Sequence, residues 1–295
     1  MQQPLAGVDI RATYKSHDVE GLLDIHFYRK IGFQLARFFA RLRMTPAAVT
    51  LLGTAIGVVA GHFYFYRDLG LNAIGMALQV SSNALDNADG QLARMTNQGS
   101  RAGRAIDGLG DYAVFASMYF HLCLRYVVGG GSSMVWLLAI AAGASHSAQT
   151  SLADYLRNAY IYFLSGKTRG EFDTSSALRA EFNRLRWRTE PWQKFLLRVY
   201  LNYTLQQEKL VPRMQRMSES MNSELAELYR RENKPIIKWA NLFGRNTRMI
   251  LLFALLIVNQ PVWYFVFELT IFNLLLVFIL IWQANVFKRF PNLSA

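Results

Sequence analysis

The sequence predicts an all-α integral membrane protein: six transmembrane helices, an N-terminal amphipathic helix at the membrane interface, and a helical cytoplasmic insert. Three observations carry this expectation. Apolar runs of the roughly 20 residues needed to span a bilayer recur along the chain. Residues 20–43, just before the first run, alternate apolar and basic side chains at helical spacing. Residues 165–245 contain no spanning run and are rich in Lys and Arg, with helical patterning in places.

Composition narrows the class. The chain has 295 residues, a formal net charge of +12 and 52% hydrophobic residues. An excess of positive charge calls for an anionic partner, and long apolar helices favour lipid headgroups over nucleic acid. A single cysteine, Cys123, excludes an internal disulfide and a cysteine-based zinc framework. The five histidines form no metal-ligand cluster. The first 20 residues are polar and show no cleavable signal peptide.

The elements follow in order. Residues 1–19 hold Pro4, Gly7 and several charges without periodicity, and read as a poorly ordered arm. In 20–43, Leu23, Phe27, Ile31, Leu35, Phe38 and Leu42 form helical rows with Arg29, Lys30, Arg37 and Arg41 between them. Thr45 and Pro46 mark a helix start. Spans are expected at 47–66, 71–94, 104–127, 134–160, 246–260 and 262–287, and insert helices at 177–203 and 214–232. Gly53, Gly57 and Gly61 recur every four residues in the first span, which suits close helix packing. The chain therefore divides into an arm and interfacial helix (1–43), spans one to four (44–164), the insert (165–245), and spans five and six with a tail (246–295). Basic residues concentrate at the N-terminus, in the loops after spans two and four, and at the C-terminus. The positive-inside rule then puts both termini on the cytoplasmic side of the cell membrane.

Four carboxylates stand out near the cytoplasmic ends of spans two and three. Asp86 and Asp89 are three residues apart, and Asp107 and Asp111 four apart, so each pair shares a helix face. Like charges held close in an apolar setting repel, and a cation between facing helices relieves them. Carboxylate oxygens suit Mg²⁺, Mn²⁺ or Ca²⁺. Gly90, Ala93 and Gly103 extend the acidic face with almost no side chain, which lets a flat ligand or another backbone approach. Arg94 can clamp phosphate oxygens or, alternatively, snorkel to solvent. Acids for metal, a smooth wall and an arginine together fit a metal-bound nucleotide diphosphate. The same acids also fit a cation-binding or transport protein.

The pattern Asp86-x2-Asp89-Gly90-x2-Ala93-Arg94-x8-Gly103-x3-Asp107-x3-Asp111 resembles the full signature of the CDP-alcohol phosphotransferases. The resemblance implies transfer of a phosphoalcohol group from a CDP-activated donor to an acceptor hydroxyl, with release of CMP. It implies two divalent ions, Mg²⁺ or Mn²⁺, held by Asp86, Asp89, Asp107 and Asp111. Asp111 would also serve as general base, while Gly90, Ala93, Arg94 and Gly103 would receive the CDP group. It further implies a homodimer. Where many family members have Pro-Asn-x-x-Thr before the first span, this chain has Pro46, Ala47 and Thr50, so a contact through that amide is absent. The run Ser145-His146-x2-Gln149 in span four looks like that of inositol-type members. His146, Gln149 and Arg157 fall on one side of that helix, and Arg157 with Arg104 can take a phosphate on the acceptor. Interhelical hydrogen bonding explains the same residues equally well. CDP-diacylglycerol with inositol or inositol phosphate is the preferred substrate pair; glycerol phosphate or serine as acceptor, or CDP-choline or CDP-ethanolamine with a lipid acceptor, stay open.

Overall fold

The computed structural model describes residues 10–13, 16, 18–165 and 172–290. Every regular element among them is helical. A 3-10 turn (Ile10–Thr13) and a π-helical turn (Asp24–Tyr28) precede α1 (Arg29–Arg41). Then come α2 (Pro46–Phe63), α3 (Leu69–Thr96), α4 (Arg101–Val128) and α5 (Val135–Leu164). The insert holds α6 (Ser175–Arg184), α7 (Pro191–Leu210), α8 (Arg213–Ser220) and α9 (Ser223–Ala240). After a 3-10 turn (Asn241–Phe243), α10 (Arg245–Ile257), α11 (Trp263–Leu269) and α12 (Ile271–Phe287) end the chain's regular structure.

Local chemistry sets these boundaries. Thr45 Oγ1 accepts from the Ala48 N–H at 3.3 Å, and Pro46 fills the first helical position of α2. Asp68 caps α3 through the Leu71 N–H at 2.8 Å, and Ser100 caps α4 through the Gly103 N–H at 3.0 Å. Asn97 ends α3 in the left-handed region, at φ 55°, with its N–H returned to the Ala93 carbonyl. A four-residue connection therefore separates α3 from α4, close to the loop expected at 95–102.

The chain groups into two compact units. The first comprises Met1–Tyr14, Leu22–Gly143 and Arg248–Val266. In it α2 packs against α3 and α4, and α1 against α3. Ala36, Phe39, Val49, Leu85, Ala88 and Leu92 form a buried apolar cluster between α1, α2 and α3. The expected small-residue packing of α2 is present: a Cβ on Gly61 would lie 2.6 Å from Ser117 Oγ and 2.9 Å from the Met118 nitrogen. Buried Arg125 on α4 donates to the Tyr64 carbonyl (3.1 Å), Asn72 Oδ1 (2.9 Å) and Asn259 Oδ1 (2.7 Å). One guanidinium thus ties together the chain beyond α2, α10 and the start of α3.

The second unit comprises Lys15–Gly21, Ala144–Thr247 and Phe267–Ala295. The later part of α5 belongs to it, and insert residues engage that part closely. Tyr203 donates to Asp154 at 2.6 Å, and Arg157 Nε donates to Asn241 Oδ1 at 3.0 Å. Phe163 meets the Tyr229 ring edge-on, with centroids 4.9 Å apart. Asp18 joins Lys234 at 2.6 Å and Arg230 at 3.5 Å, and accepts from Tyr160.

Among the described residues, two helices are long and apolar enough to cross a membrane, Pro46–Phe63 and the combined Trp263–Phe287. A third arises if Ser223–Phe243 and Arg245–Ile257, bent by 40° at their junction, count as one. The helices α3, α4 and α5 have 28, 28 and 30 residues, but their polar groups set them apart from the two apolar helices. The expected fifth span appears as the 13-residue α10, roughly 20 Å long and too short to cross alone. The helix expected at 177–203 is split: α6 ends at Arg184, where Leu185 turns extended, and Pro191 fills the first position of α7. Residues 10–13 of the expected loose arm form a turn, with Thr13 buried; residues 1–9 lie outside the described residues.

Candidate active site

The helix α3 has two faces with different tasks. Leu85, Ala88 and Leu92 enter the apolar cluster with α1. Asp86, Asp89, Gly90 and Ala93 follow at positions offset from that row. Glycine fixes how closely α1 sits on this turn: a Cβ at Gly32 would lie 3.1 Å from Asn87 Cβ and 3.2 Å from the Ala88 nitrogen. Gln91 adds a hydrogen bond to the Arg29 carbonyl at 3.0 Å. The turn that presents Asp86 and Asp89 is thereby clamped from behind.

One carboxylate oxygen from each of Asp86, Asp89 and Asp107 lies within 4.8 Å of the others. Asp89 is buried, and Asp86 and Asp107 are half-buried. The donor set is all carboxylate oxygen. Ligand oxygens on opposite sides of one Mg²⁺ or Ca²⁺ lie roughly 4–5 Å apart, so the three side chains fit a single hard divalent ion. Asp111, one turn further along α4 and half-buried, is not one of these three.

Arg94 does not stand out as an isolated arm. Its Nε donates to the Thr13 carbonyl at 2.6 Å. Its guanidinium folds back over Gly90, where a Cβ would meet Nη2 at 3.4 Å and Nη1 at 3.6 Å. Gly90 is therefore the floor under Arg94. Gly103 lies in the first turn of α4, its N–H taken by Ser100, and Arg104 is half-buried beside it.

The acceptor candidates on α5 belong to the second unit and have partners there. Buried His146 places Nδ1 3.5 Å from Glu268. Gln149 donates to the Glu268 carbonyl at 3.1 Å and to Asn273 Oδ1 at 2.9 Å. Asn273 donates in turn to Ser145 Oγ at 3.0 Å. Arg157 joins Asp154 at 2.9 Å. The cluster surrounds the break at Thr270 between α11 and α12, where carbonyls lack their usual helical partners.

Sequence reading missed three of these groups. Glu268 is the sole acid after residue 245, set in an apolar run, and that isolation was an available signal. Arg125 carried a similar one. Thr13 carried none, because it acts through its backbone carbonyl.

Comparison with known proteins agrees with this geometry. The CDP-alcohol phosphatidyltransferase family model matches residues 27–165, somewhat less than half of the chain. The chain is similar to a phosphatidylinositol phosphate synthase of Streptomyces avermitilis, 32% identical over 116 residues, covering 39% of this chain and 46% of the relative. A second phosphatidylinositol phosphate synthase, from Mycobacteroides abscessus, is 31% identical over 128 residues, covering 40% of this chain and 53% of the relative. The chain spans about half the length of the relatives it matches. The acid cluster, its glycine-floored arginine and the helices that present them all fall inside residues 27–165, the segment that matches the CDP-alcohol phosphatidyltransferase family model.

Proposed function

We propose that the protein is a membrane-embedded transferase that moves a phosphatidyl group from CDP-diacylglycerol to the hydroxyl of inositol phosphate or inositol, releasing CMP. The observation that carries this reading is the convergence of Asp86, Asp89 and Asp107 within the family-matched segment. The names of the two relatives support the acceptor class.

In this reading Asp86, Asp89 and Asp107 hold one divalent ion, Mg²⁺ or Mn²⁺, and Asp111 shares a second. Bound there, the ions would neutralise diphosphate charge and favour departure of CMP. Asp111 takes the proton of the acceptor hydroxyl. Arg94 turns its Nη atoms toward phosphate while Nε stays on Thr13. Gly90, Ala93 and Gly103 leave room for the cytidine group. Arg104 meets the acceptor phosphate, whereas the partners of His146, Gln149 and Arg157 favour a role in holding α5.

The architecture we propose has six spans, built on α2, α3, α4, α5, the bent stretch in which α9 leads into α10, and the α11–α12 pair. Both termini and the acids face the cytoplasm, and the chain forms a homodimer, as the family resemblance implies. Residues 20–43 lie at the interface. The exposed apolar row of Phe27, Ile31, Phe38 and Leu42 in this segment supports that placement.

The test is CMP release by the purified protein from CDP-diacylglycerol with inositol phosphate or inositol, with the lipid product identified by mass. Release should require Mg²⁺ or Mn²⁺ and stop on chelation. Release with a diacylglycerol acceptor and CDP-choline, but not with the proposed pair, would replace the substrate assignment. No release with any CDP donor would reassign the acids to cation binding.

A further inference from the structure

The insert helices α6 and α7 form a hairpin that lies beyond the family-matched segment. The hairpin has its own small core: Leu178, Leu197 and Leu201 are buried, with Phe182, Leu185, Tyr200 and Leu205 packed around them. Its tip does the opposite of a core. Trp187 is 54% exposed, Trp192 77% and Phe195 42%. Tryptophan left in water at a turn is costly unless something else covers it.

The surrounding charge says what kind of surface would cover it. From residue 179 to 198 there are six basic residues (Arg179, Arg184, Arg186, Arg188, Lys194, Arg198) against two acids, Glu181 and Glu190. Lys194 is committed inward, donating to the Leu185 carbonyl at 2.8 Å and lying 4.5 Å over the Phe182 ring. Arg184, Arg186 and Arg188 are exposed and flank Trp187. Ion pairs of the insert include Lys234 and Arg230 with Asp18, Arg230 with Glu227, and Glu232 with Arg231 and Arg289.

We infer that the tip of this hairpin, Arg184–Arg198, docks on the anionic phospholipid headgroups of the membrane. Indole rings with a polar N–H settle at the headgroup level, where one edge is apolar and the other wet. Arginines beside them meet lipid phosphates without crossing into hydrocarbon. A neutral, flat protein partner would match the rings and leave the arginines unanswered. The helices Pro46–Phe63 and Trp263–Phe287, long and apolar enough to cross a membrane, would hold the same chain at a bilayer.

The test uses the full chain, with Thr189→Cys in a Cys123→Ala background, carrying an environment-sensitive fluorophore at the exposed tip. The protein is placed in nanodiscs of phosphatidylcholine with or without phosphatidylglycerol. With the anionic lipid, emission should shift to the blue, a headgroup nitroxide should quench it, and aqueous iodide should not. High salt should reverse all three. Replacing Arg184, Arg186 and Arg188 by Gln, one at a time, should raise the undocked-to-docked ratio about fivefold each, the equivalent of one basic residue at an anionic surface. Equal iodide quenching in both lipid compositions would overturn the proposal. Shielding that appears only with two copies per disc, whatever the lipid, would also overturn it and assign the tip to a second copy of the chain.

Discussion

On α3 and α4, three carboxylates converge within 4.8 Å of one another. Around the α11–α12 break, His146 faces the Glu268 carboxylate, Gln149 donates to the Glu268 backbone carbonyl and to Asn273, and Asn273 donates to Ser145. Both sets sit in helices rich in apolar residues. In the second set, donors and acceptors from α5 and the α11–α12 region meet one another, so the polarity is spent on joining helices. In the first, acids of one sign are brought together beside small residues, and the backbone behind them is clamped by Gly32 and Gln91. Matched polarity points to architecture. Concentrated like charge on a stiff support points to a ligand of opposite charge.

The largest effect should come from deleting a member of the acid set. Asp89→Ala should lower CMP release by about 10³-fold or more, beyond the roughly 10–100-fold typical of residues that only support a metal ligand. Its thermal stability without metal should hold or rise, because repulsion is removed. The gain in melting temperature that Mg²⁺ gives the wild type by mass action should vanish. Asp111→Asn should keep donor binding by calorimetry while turnover falls about 10²-fold, the scale of a lost general base. If Asp89→Ala unfolds the protein as a core deletion would, the acids are architectural and the contrast collapses.

Gln149→Ala addresses the other cluster. It removes donors to the Glu268 carbonyl and Asn273 Oδ1, at a cost of about 1–2 kcal/mol, equal with and without Mg²⁺. Melting curves measure this directly. An unchanged melting temperature with a raised KM for the acceptor would show that the cluster is a binding site after all.

The smallest effect concerns a matched charge outside the spans. Burial pushes the Asp18 carboxyl up, but hydrogen bonds from Lys234 and Tyr160, with the charges of Lys234 and Arg230, outweigh this and hold it below its ordinary 3.8. Its folded value is depressed, so its contribution is complete above the unfolded value and is lost as pH falls through the folded one. Wild type should therefore lose more melting temperature than Asp18→Asn between about pH 5 and pH 3. Parallel curves would mean that the Asp18 pairs add nothing to stability.

The acid site was legible because its chemistry lies in side-chain identity at fixed spacing. Asp86, Asp89 and Asp107 needed only helical geometry to be brought onto facing surfaces. The helix start at Pro46 was legible through Thr45 and Pro46 themselves, whereas Asn97 and Ser100, which close α3 and open α4, were not singled out. The division of α5 was not, since its apolar periodicity continues past Gly143 while its partners change from membrane-type helices to insert helices such as α7 and α9. The end of α10 was hidden as well: the expected span ran on to 260, but Asn259 takes the left-handed region at φ 56° and the Gln260 N–H returns to the Leu255 carbonyl, so the helix stops at Ile257. Arg94 was identified, but its resting position was not, because Gly90 beneath it looks the same whether it admits a ligand or a side chain.

The Thr13–Arg94 contact has a practical consequence. A main-chain carbonyl is present whatever the residue, so alanine scanning through the amino-terminal segment would pass over this contact in silence. Only changes that move the chain itself would register, such as removal of residues 10–13 or a bulky fusion that drags them away. Loss of activity on such trimming, beside a flat alanine scan of the same stretch, is the signature of an arginine steered by backbone rather than by any one side chain.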